Sequence, residues 1–258
     1  MTPVAPWLRS LPSLVSADLR RRYAGSALGA AWGILSPLVE VAIYGIVFGL
    51  LLGVAARSEM PYALLIATGI FPWASFREAL EGSGNVLPDN RWVRRARVPR
   101  ELLVGRLVAV AMIRSLVAVV VVIGYAAWTG SRPGPLAWCA PFLALAAQAL
   151  MTFGLGLAVA PLAVILPDLR PTLSSILTLL TFGSPILFPE SLARGGVALV
   201  LLCNPFTHLL RLYRAPVAPL SWADGVVSSV VVVFSVAVAL GAGRFVSERA
   251  WWRARDAL

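Results

Sequence analysis

The chain of 258 residues contains no lysine, and all 22 of its basic residues are arginine. A Walker A phosphate-binding loop needs a lysine that reaches the nucleotide phosphates, and a Schiff-base enzyme needs a lysine amine. Both kinds of site are therefore excluded. If ATP drives this protein, another chain hydrolyses it, so we expect ATP and Mg²⁺ on a partner subunit and no cofactor here.

Histidine and cysteine are also scarce, since His208 is the only histidine and Cys139 and Cys203 are the only cysteines. No group of these residues has the spacing of metal ligands. The clustered carboxylates or histidines that a membrane enzyme would need at a membrane face are missing as well. The sequence therefore predicts neither a metal site nor a catalytic site.

Charged residues make up 13% of the chain, about half of the roughly 25% found in soluble domains. Hydrophobic residues make up 59%, and the mean hydropathy is +0.83. This balance predicts an all-α integral membrane protein. The net charge of +10 comes from arginines that flank apolar runs, which favours contact with membrane lipids over nucleic acid.

Six apolar stretches are long enough to cross a bilayer, which takes about 20 residues. They are residues 30–53, 61–80, 103–128, 136–166, 171–188 and 223–243. Two shorter stretches, 196–203 and 205–213, are separated by Asn204-Pro205 and predict re-entrant helices between spans five and six. The single membrane domain thus comprises an amphipathic interface helix within residues 1–29, a six-span bundle over 30–243 and a tail over 244–258.

The distribution of arginine predicts the orientation of this bundle. Six spans place both termini on one side, and that side carries fifteen arginines against five on the other. Because cytoplasmic segments are enriched in basic residues, we expect both termini in the cytoplasm.

Residues 82–101 are the most charged segment of the chain. We expect Gly82, Gly84 and Pro88 to end the second span, and residues 89–97 to form a short basic helix capped by Asp89 or Asn90. Two interpretations stay open. The arginines only set the topology, or the short helix is a docking element for a motor subunit.

Glu40 and Arg114 are charged residues inside apolar spans. Each lies about ten residues, or roughly 15 Å, beyond the cytoplasmic end of its span. Because an isolated charge at this depth is costly, we expect an intramembrane ion pair or two polar groups facing one aqueous channel. The alternative is that Arg114 extends to the interface and Glu40 is protonated.

Aromatic residues are frequent in the first two spans, and sugar rings stack on aromatic faces. Tyr44, Phe48 and Trp73 lie well inside those spans and are the best aromatic candidates to line a channel, together with Glu40 and Arg114. Ordinary core or lipid-facing packing is the alternative for each aromatic residue. The sequence context of His208 favours a structural role for this residue. Asp168 is expected to cap the fifth span.

Five short motifs occur in order between residues 18 and 215. They are Arg22-Tyr23 with Gly25-Ser26, Leu28-Gly29, Trp32 and Pro37; Asn90, Arg94 and Arg95 with Pro99-Arg100-Glu101; Asp168; Ser184-Pro185-Ile186; and Asn204-Pro205-Phe206-Thr207-His208 with Tyr213-Arg214. In this pattern the chain resembles the membrane subunits of ABC-2 type exporters, in particular the O-antigen, capsule and teichoic-acid permeases. The third motif departs from the family, because Pro167 stands where a basic residue is expected.

The resemblance implies a homodimer in a bacterial plasma membrane with two ABC ATPase subunits, and a channel for a glycan on an undecaprenyl-type lipid. It also implies that the interface helix and the 82–101 segment contact the ATPase. The residues expected there are Arg20, Arg21, Arg22, Tyr23, Asp89, Asn90, Arg94 and Arg95. Arg20 to Arg22 alternatively only bind lipid headgroups.

Arginine suits a lipid diphosphate, because the guanidinium offers paired donors to phosphate oxygens. We therefore expect one or two of Arg94, Arg95, Arg97 and Arg100 to guide the substrate's diphosphate into the channel. An ABC-2 permease for a drug or another lipid, and a purely structural membrane subunit, remain alternative functions.

Overall fold

The computed structural model describes residues 11–22, 31–87 and 99–256, and these residues contain helices and turns but no β-strand. The helices are α1 (Leu11–Arg22), α2 (Trp32–Tyr44, continued by a π-helical segment Gly45–Leu51), α3 (Tyr62–Asn85), α4 (Arg100–Trp128), α5 (Pro135–Ile165), α6 (Leu169–Phe182), α7 (Gly196–Cys203), α8 (Pro205–Arg214) and α9 (Trp222–Asp256). The expected all-α architecture is confirmed.

Three described helices, α4, α5 and α9, are long and apolar enough to cross a membrane. A fourth span is added if α7 and α8, which meet at an angle of 79°, count as one broken span. The apolar segment Leu35–Leu51 is shorter, and α6 has only 14 residues, or about 21 Å, against a hydrocarbon core of about 30 Å. A count of six spans therefore stays a prediction.

Helix α3 overlaps the expected second span but is not among the described helices apolar enough to cross a membrane. It has 24 residues but carries Arg77, Glu78 and Glu81 in its second half. Most of the helix is buried, and it packs against α4, α5 and α8 rather than facing outward. Polar residues in a membrane bundle are tolerated when they face other helices or a cavity.

The expected bounds of the fifth span were wrong. The fifth apolar stretch, 171–188, is not one helix, because α6 ends at Phe182 and turns follow. Pro185 lacks a backbone N–H and disfavours a helical conformation at the residue before it. Residues 244–256 of the expected tail continue α9, which runs to Asp256, with an Arg244–Glu248 ion pair of 2.8 Å one turn apart. Their assignment as a cytoplasmic tail stays a prediction.

Gly82 and Gly84 also do not break α3, which continues through both of them to Asn85. Gly84 is buried, and a Cβ atom there would lie 3.7 Å from Ala163 Cβ and 3.7 Å from Arg170 Cγ. Gly84 thus lies in the contact of α3 with α5 and the start of α6, where a Cβ atom would fit at ordinary van der Waals distance.

The contact between α5 and α9 is the most extensive in the bundle. Gly154 on α5 faces Ala239 on α9, where an added Cβ would lie only 2.5 Å from the Ala239 carbonyl carbon, and Gly243 lies against the Gly154 backbone. The two backbones can approach this closely only because glycine occupies the crossing point.

Helix α1 packs on the first turns of α4. Leu11 and Leu14 contact the apolar cluster that includes Val86 and Leu102, and Arg106 Nε lies 3.7 Å from Asp18 Oδ2. The helix thus lies within the expected range 1–29 and is bound to the bundle. That it also lies in the membrane interface stays a prediction.

Candidate transport cavity

A cavity of about 820 Å³ lies between α2, α3, α4 and α6. Half of its lining is polar or charged, although the surrounding helices are largely apolar. The polar lining residues other than tyrosine and tryptophan are Ser36, Glu40, Arg77, Glu78, Glu81, Asn85, Arg114, Thr178 and Thr181. Such a concentration of polar groups identifies this space as the candidate site.

Two ion pairs form part of the cavity wall. Arg114 Nη1 lies 2.9 Å from Glu78 Oε2, and Arg77 Nε lies 2.9 Å from Glu81 Oε1. Arg77 also donates from Nη2 to Ser174 Oγ on α6 at 3.3 Å. Both arginines are thus compensated by carboxylates of α3, which reduces the cost of placing charge in a membrane bundle.

The expected ion pair between Glu40 and Arg114 was therefore wrong, because Arg114 pairs with Glu78. Helix α3 packs along α4, whereas α2 has few contacts with α4, so a carboxylate of α3 reaches the guanidinium first. Glu40 is exposed and faces the same cavity as Arg114. Equal depth along two spans gives no information on which helices are neighbours.

The aromatic candidates occupy different places. Tyr44 lines the cavity, while Trp73 lines it with only 6% of its surface exposed. The Trp73 indole N–H donates to Thr181 Oγ1 at 2.8 Å, and its ring packs edge-on against Phe206 with centroids 4.8 Å apart. Phe48 is not among the lining residues and packs 6.1 Å from the Tyr44 ring.

Most of the residues expected to contact an ATPase lie outside the described residues. These are Tyr23, Asp89, Asn90, Arg94 and Arg95, and the same holds for Arg97 of the expected diphosphate set. Arg20, Arg21 and Arg22 form the last turn of α1, where the Arg20 side chain is exposed. Arg100 starts α4 and forms an ion pair with Glu101, with Nε 3.0 Å from Oε1. The assigned roles stay predictions.

Two of the sequence motifs contact each other toward the start of α3, away from residues 88–98. The Asn204 side chain accepts a hydrogen bond from the Phe206 N–H at 2.9 Å and so caps α8. It also donates to the Gly183 carbonyl at 2.9 Å and to Ser184 Oγ at 2.8 Å. The break between α7 and α8 is thereby joined to the turn after α6.

Arg214 completes this joint from the last turn of α8. Only 6% of the residue is exposed, and its guanidinium donates to Leu65 O at 2.9 Å, Pro185 O at 3.0 Å and Thr68 Oγ1 at 3.1 Å. The acceptors belong to α3 and to the turn after α6. One buried cation therefore holds three segments together through neutral oxygens.

His208 has the structural role that its sequence context favoured. Its Nε2 donates to the Leu202 carbonyl at 2.9 Å, because a carbonyl can only accept, and its Nδ1 accepts from Ser228 Oγ at 3.1 Å. Asp168, in contrast, does not cap α6 through its side chain. Its backbone is already helical there, whereas a capping residue adopts an extended conformation.

Sequence reasoning missed the buried polar group of Gln148. Its Nε2 donates to Pro72 O at 2.9 Å and Ser115 Oγ at 3.2 Å, and its Oε1 accepts from Tyr213 Oη at 2.8 Å. These bonds connect α3, α4, α5 and α8. The available signal was a single glutamine in an apolar helix of 31 residues. Among the described residues, no cluster of His, Cys, Asp and Glu is placed to hold a metal ion.

Comparisons with known proteins give this cavity its context. The chain is 28% identical over 211 residues to the O-antigen export system permease protein RfbA of Myxococcus xanthus, covering 80% of this chain and 78% of the relative. It is 26% identical over 204 residues to a protein of the same name from Klebsiella pneumoniae, covering 78% and 77%. It is 23% identical over 230 residues to the polysialic acid transport protein KpsM of Escherichia coli, covering 88% of each.

Two of these relatives are named O-antigen export system permeases and the third a polysialic acid transport protein, and each comparison covers more than three quarters of this chain. The family model of the ABC-2 type transporter matches residues 9–218, which include the charged cavity and the joint at Asn204 and Arg214. The chain therefore belongs to the ABC-2 type transporter family, as a multi-pass membrane permease.

Proposed function

We propose that the chain is the membrane subunit of an ATP-driven exporter that moves a lipid-linked polysaccharide across the bacterial inner membrane. The cavity of about 820 Å³ between apolar helices carries this proposal. Its lining combines ionised groups, hydroxyls and aromatic rings, which suit a hydrated sugar chain better than an apolar drug. The names of the similar permeases support the same substrate class.

The transport path passes along the wall formed by α3. The hydroxyls of Thr178 and Thr181 and the charges of Arg77 and Arg114 offer donors and acceptors to sugar hydroxyls. The carboxylate of Glu40 faces them across the cavity. In the cavity, a sugar chain replaces its hydrogen bonds to water with hydrogen bonds to these groups. It therefore binds weakly enough to move along the path.

ATP hydrolysis takes place on separate ABC ATPase subunits, because this lysine-free chain lacks a Walker A loop. We propose two ATPase copies on a homodimer of this chain, with both termini in the cytoplasm. Helix α1 and the arginine-rich segment 88–98 contact the motor. Because α1 packs on the start of α4, a push on α1 is transmitted to the helix that carries Arg114.

Reconstitution tests the proposal directly. The chain and its cognate ATPase are placed in inverted vesicles that contain a polyprenyl-diphosphate glycan, and protection of the glycan from an external glycosidase is measured after ATP addition. We expect protection that requires ATP and an intact Walker A lysine in the ATPase. Transport of a drug or of glycan-free lipid without glycan protection would instead support the alternative permease functions.

A further inference from the structure

A second, smaller cavity of about 160 Å³ lies beside the main one. It is bounded by the end of α3, the end of α5 and the first turns of α6, and its polar lining residues are Glu81, Asn85, Arg170 and Ser174. Glu81 and Asn85 also line the main cavity, so the two spaces share a wall. This end of α3 leads into the arginine-rich segment 88–98.

Arg170 is the unusual group in this smaller cavity. Its Nε atom is buried and has no hydrogen-bond partner in the described part of the chain. Its Nη2 makes one long contact of 3.4 Å with the Ala163 carbonyl. Arg77 and Arg114 in the main cavity each have a carboxylate at 2.9 Å, whereas none of the ion pairs formed by the described residues includes Arg170.

The charge balance around Arg170 favours an anion. The one carboxylate in the smaller cavity belongs to Glu81, and Arg77 compensates it at 2.9 Å. A half-buried guanidinium without a counter-ion is costly, and its planar set of donors matches two phosphate oxygens. Ser174 Oγ accepts from Arg77 at 3.3 Å and keeps its own O–H available for donation, and Asn85 contributes an amide.

We propose that Arg170, assisted by Ser174 and Asn85, binds the diphosphate of the lipid carrier while the attached sugar enters the main cavity. This inference rests on the proposed function and assigns the headgroup to a residue outside the arginine-rich segment 88–98. Arg170 lies in the first turn of α6, and the shared wall at Glu81 and Asn85 places the diphosphate directly next to the sugar path. The site recognises phosphate oxygens, so binding depends on the diphosphate headgroup rather than on the polyprenyl chain.

Binding to the complete complex in nanodiscs tests the proposal. The complex of this chain with its ATPase is titrated with undecaprenyl diphosphate and with undecaprenol, in the absence of ATP. Arg170→Gln is expected to weaken diphosphate binding about tenfold and to leave undecaprenol binding unchanged. Arg170→Lys, which keeps the charge but loses the paired donors, is expected to fall between wild type and Arg170→Gln.

Arg253→Gln is the matched control. Arg253 is exposed near the end of α9, and its neighbour Ala254 packs with Val86 and Leu102 at the same end of the bundle. The control removes one positive charge from that end without touching the cavity, so it is expected to bind the diphosphate lipid as wild type does. Equal loss in Arg253→Gln and Arg170→Gln would overturn the proposal, because it would show a general surface-charge effect.

Competition with soluble inorganic diphosphate distinguishes a lipid-borne diphosphate from a free one as the ligand of this site. Weak competition supports a lipid-borne headgroup, whereas competition as strong as that of the lipid would overturn the lipid assignment. If Arg170→Gln does not assemble, a photoreactive diphosphate lipid is applied to the wild-type complex and the labelled peptide is identified. Labelling of residues 169–174 supports the site, and labelling confined to residues 91–100 overturns it.

A failure of the Arg170 site can be distinguished from a failure of the proposed function. A wild-type complex that exports glycan, with Arg170→Gln binding undecaprenyl diphosphate normally, overturns only the role of Arg170. A wild-type complex that moves no glycan overturns the exporter itself.

Discussion

Arginine side chains near the two ends of α3 are stabilised in different ways. Toward its second half, Arg77 and Arg114 are paired with carboxylates on the wall of an open cavity, and their side chains are 36% and 20% exposed. Near its start, Arg214 is 6% exposed and is held by three neutral oxygens. The first arrangement can exchange partners with a hydrated substrate, and the second fixes helices in place.

This difference has an energetic basis. An ion pair at a hydrated wall is screened, and its loss costs little if both partners are removed together. A buried cation bound to carbonyl oxygens leaves several orphaned acceptors when it is removed, and each costs about 1–3 kcal/mol. We therefore expect substitutions at the Arg214 end to act on stability and those at the cavity to act mainly on transport.

Arg214→Leu is expected to have the largest effect on stability. The substitution leaves Leu65 O, Pro185 O and Thr68 Oγ1 without their donor, for a loss of ~3 kcal/mol or more in the free energy of unfolding. Arg214→Lys is expected to recover part of this, since one ammonium can reach some of the same oxygens. Thermal unfolding of the purified protein in detergent measures both; an unchanged midpoint for Arg214→Leu would contradict the structural role.

Two substitutions of Asn204 are expected to destabilise the protein to different extents. Asn204→Asp keeps the acceptor that caps α8 but loses the donors to Gly183 and Ser184, at a cost of about 1–2 kcal/mol. Asn204→Ala also loses the cap, which adds about 1 kcal/mol. Unfolding midpoints of the two variants give the order, and an Asp variant as unstable as the Ala variant would count against separate contributions.

A double-mutant cycle tests the pair on the cavity wall. Glu78→Gln and Arg114→Gln each leave one partner uncompensated and are each expected to cost about 1–2 kcal/mol, while the double variant is expected to cost less than their sum. Glu40→Gln combined with Arg114→Gln is the control. Coupling between Glu40 and Arg114 as large as that between Glu78 and Arg114 would show that the pair seen here is not the dominant one.

The smallest stability effect is expected for Arg77→Gln. Arg77 and Glu81 are one turn apart on the same helix and about one-third exposed, so their pair contributes about 0.3–0.5 kcal/mol. Export of glycan by the reconstituted complex is expected to fall more than stability does. A clear loss of folded protein for Arg77→Gln would break the distinction between the two ends of α3.

The sequence closely predicted the bounds of the two short helices before α9, whereas their re-entrant character stays a prediction. Residues 196–203 and 205–213 were expected as two short pieces, and the structure has Gly196–Cys203 and Pro205–Arg214. Asn204-Pro205 marks this break locally, because asparagine caps helices and proline suits the first helical position. Signals of this kind act over a few residues and need no knowledge of the rest of the fold.

The candidate site was predicted only in part. Glu40, Tyr44, Trp73 and Arg114 were singled out, and all four line the cavity. Glu78, Gln148 and Arg170 were not considered as site residues. Their positions depend on how helices rotate and cross, which a pattern along one helix does not contain.

What the amino-acid sequence determined by itself is the class of the molecule: an all-helical membrane permease without the lysine that a Walker A loop needs. That follows from local physics, because a helix satisfies its backbone hydrogen bonds within one segment and apolar length decides whether it can enter a bilayer. Only the tertiary structure decided that Arg114 pairs with Glu78 and that Arg170 lines a smaller cavity beside the main one. Those outcomes depend on which helices become neighbours, and side-chain packing between distant segments sets that choice.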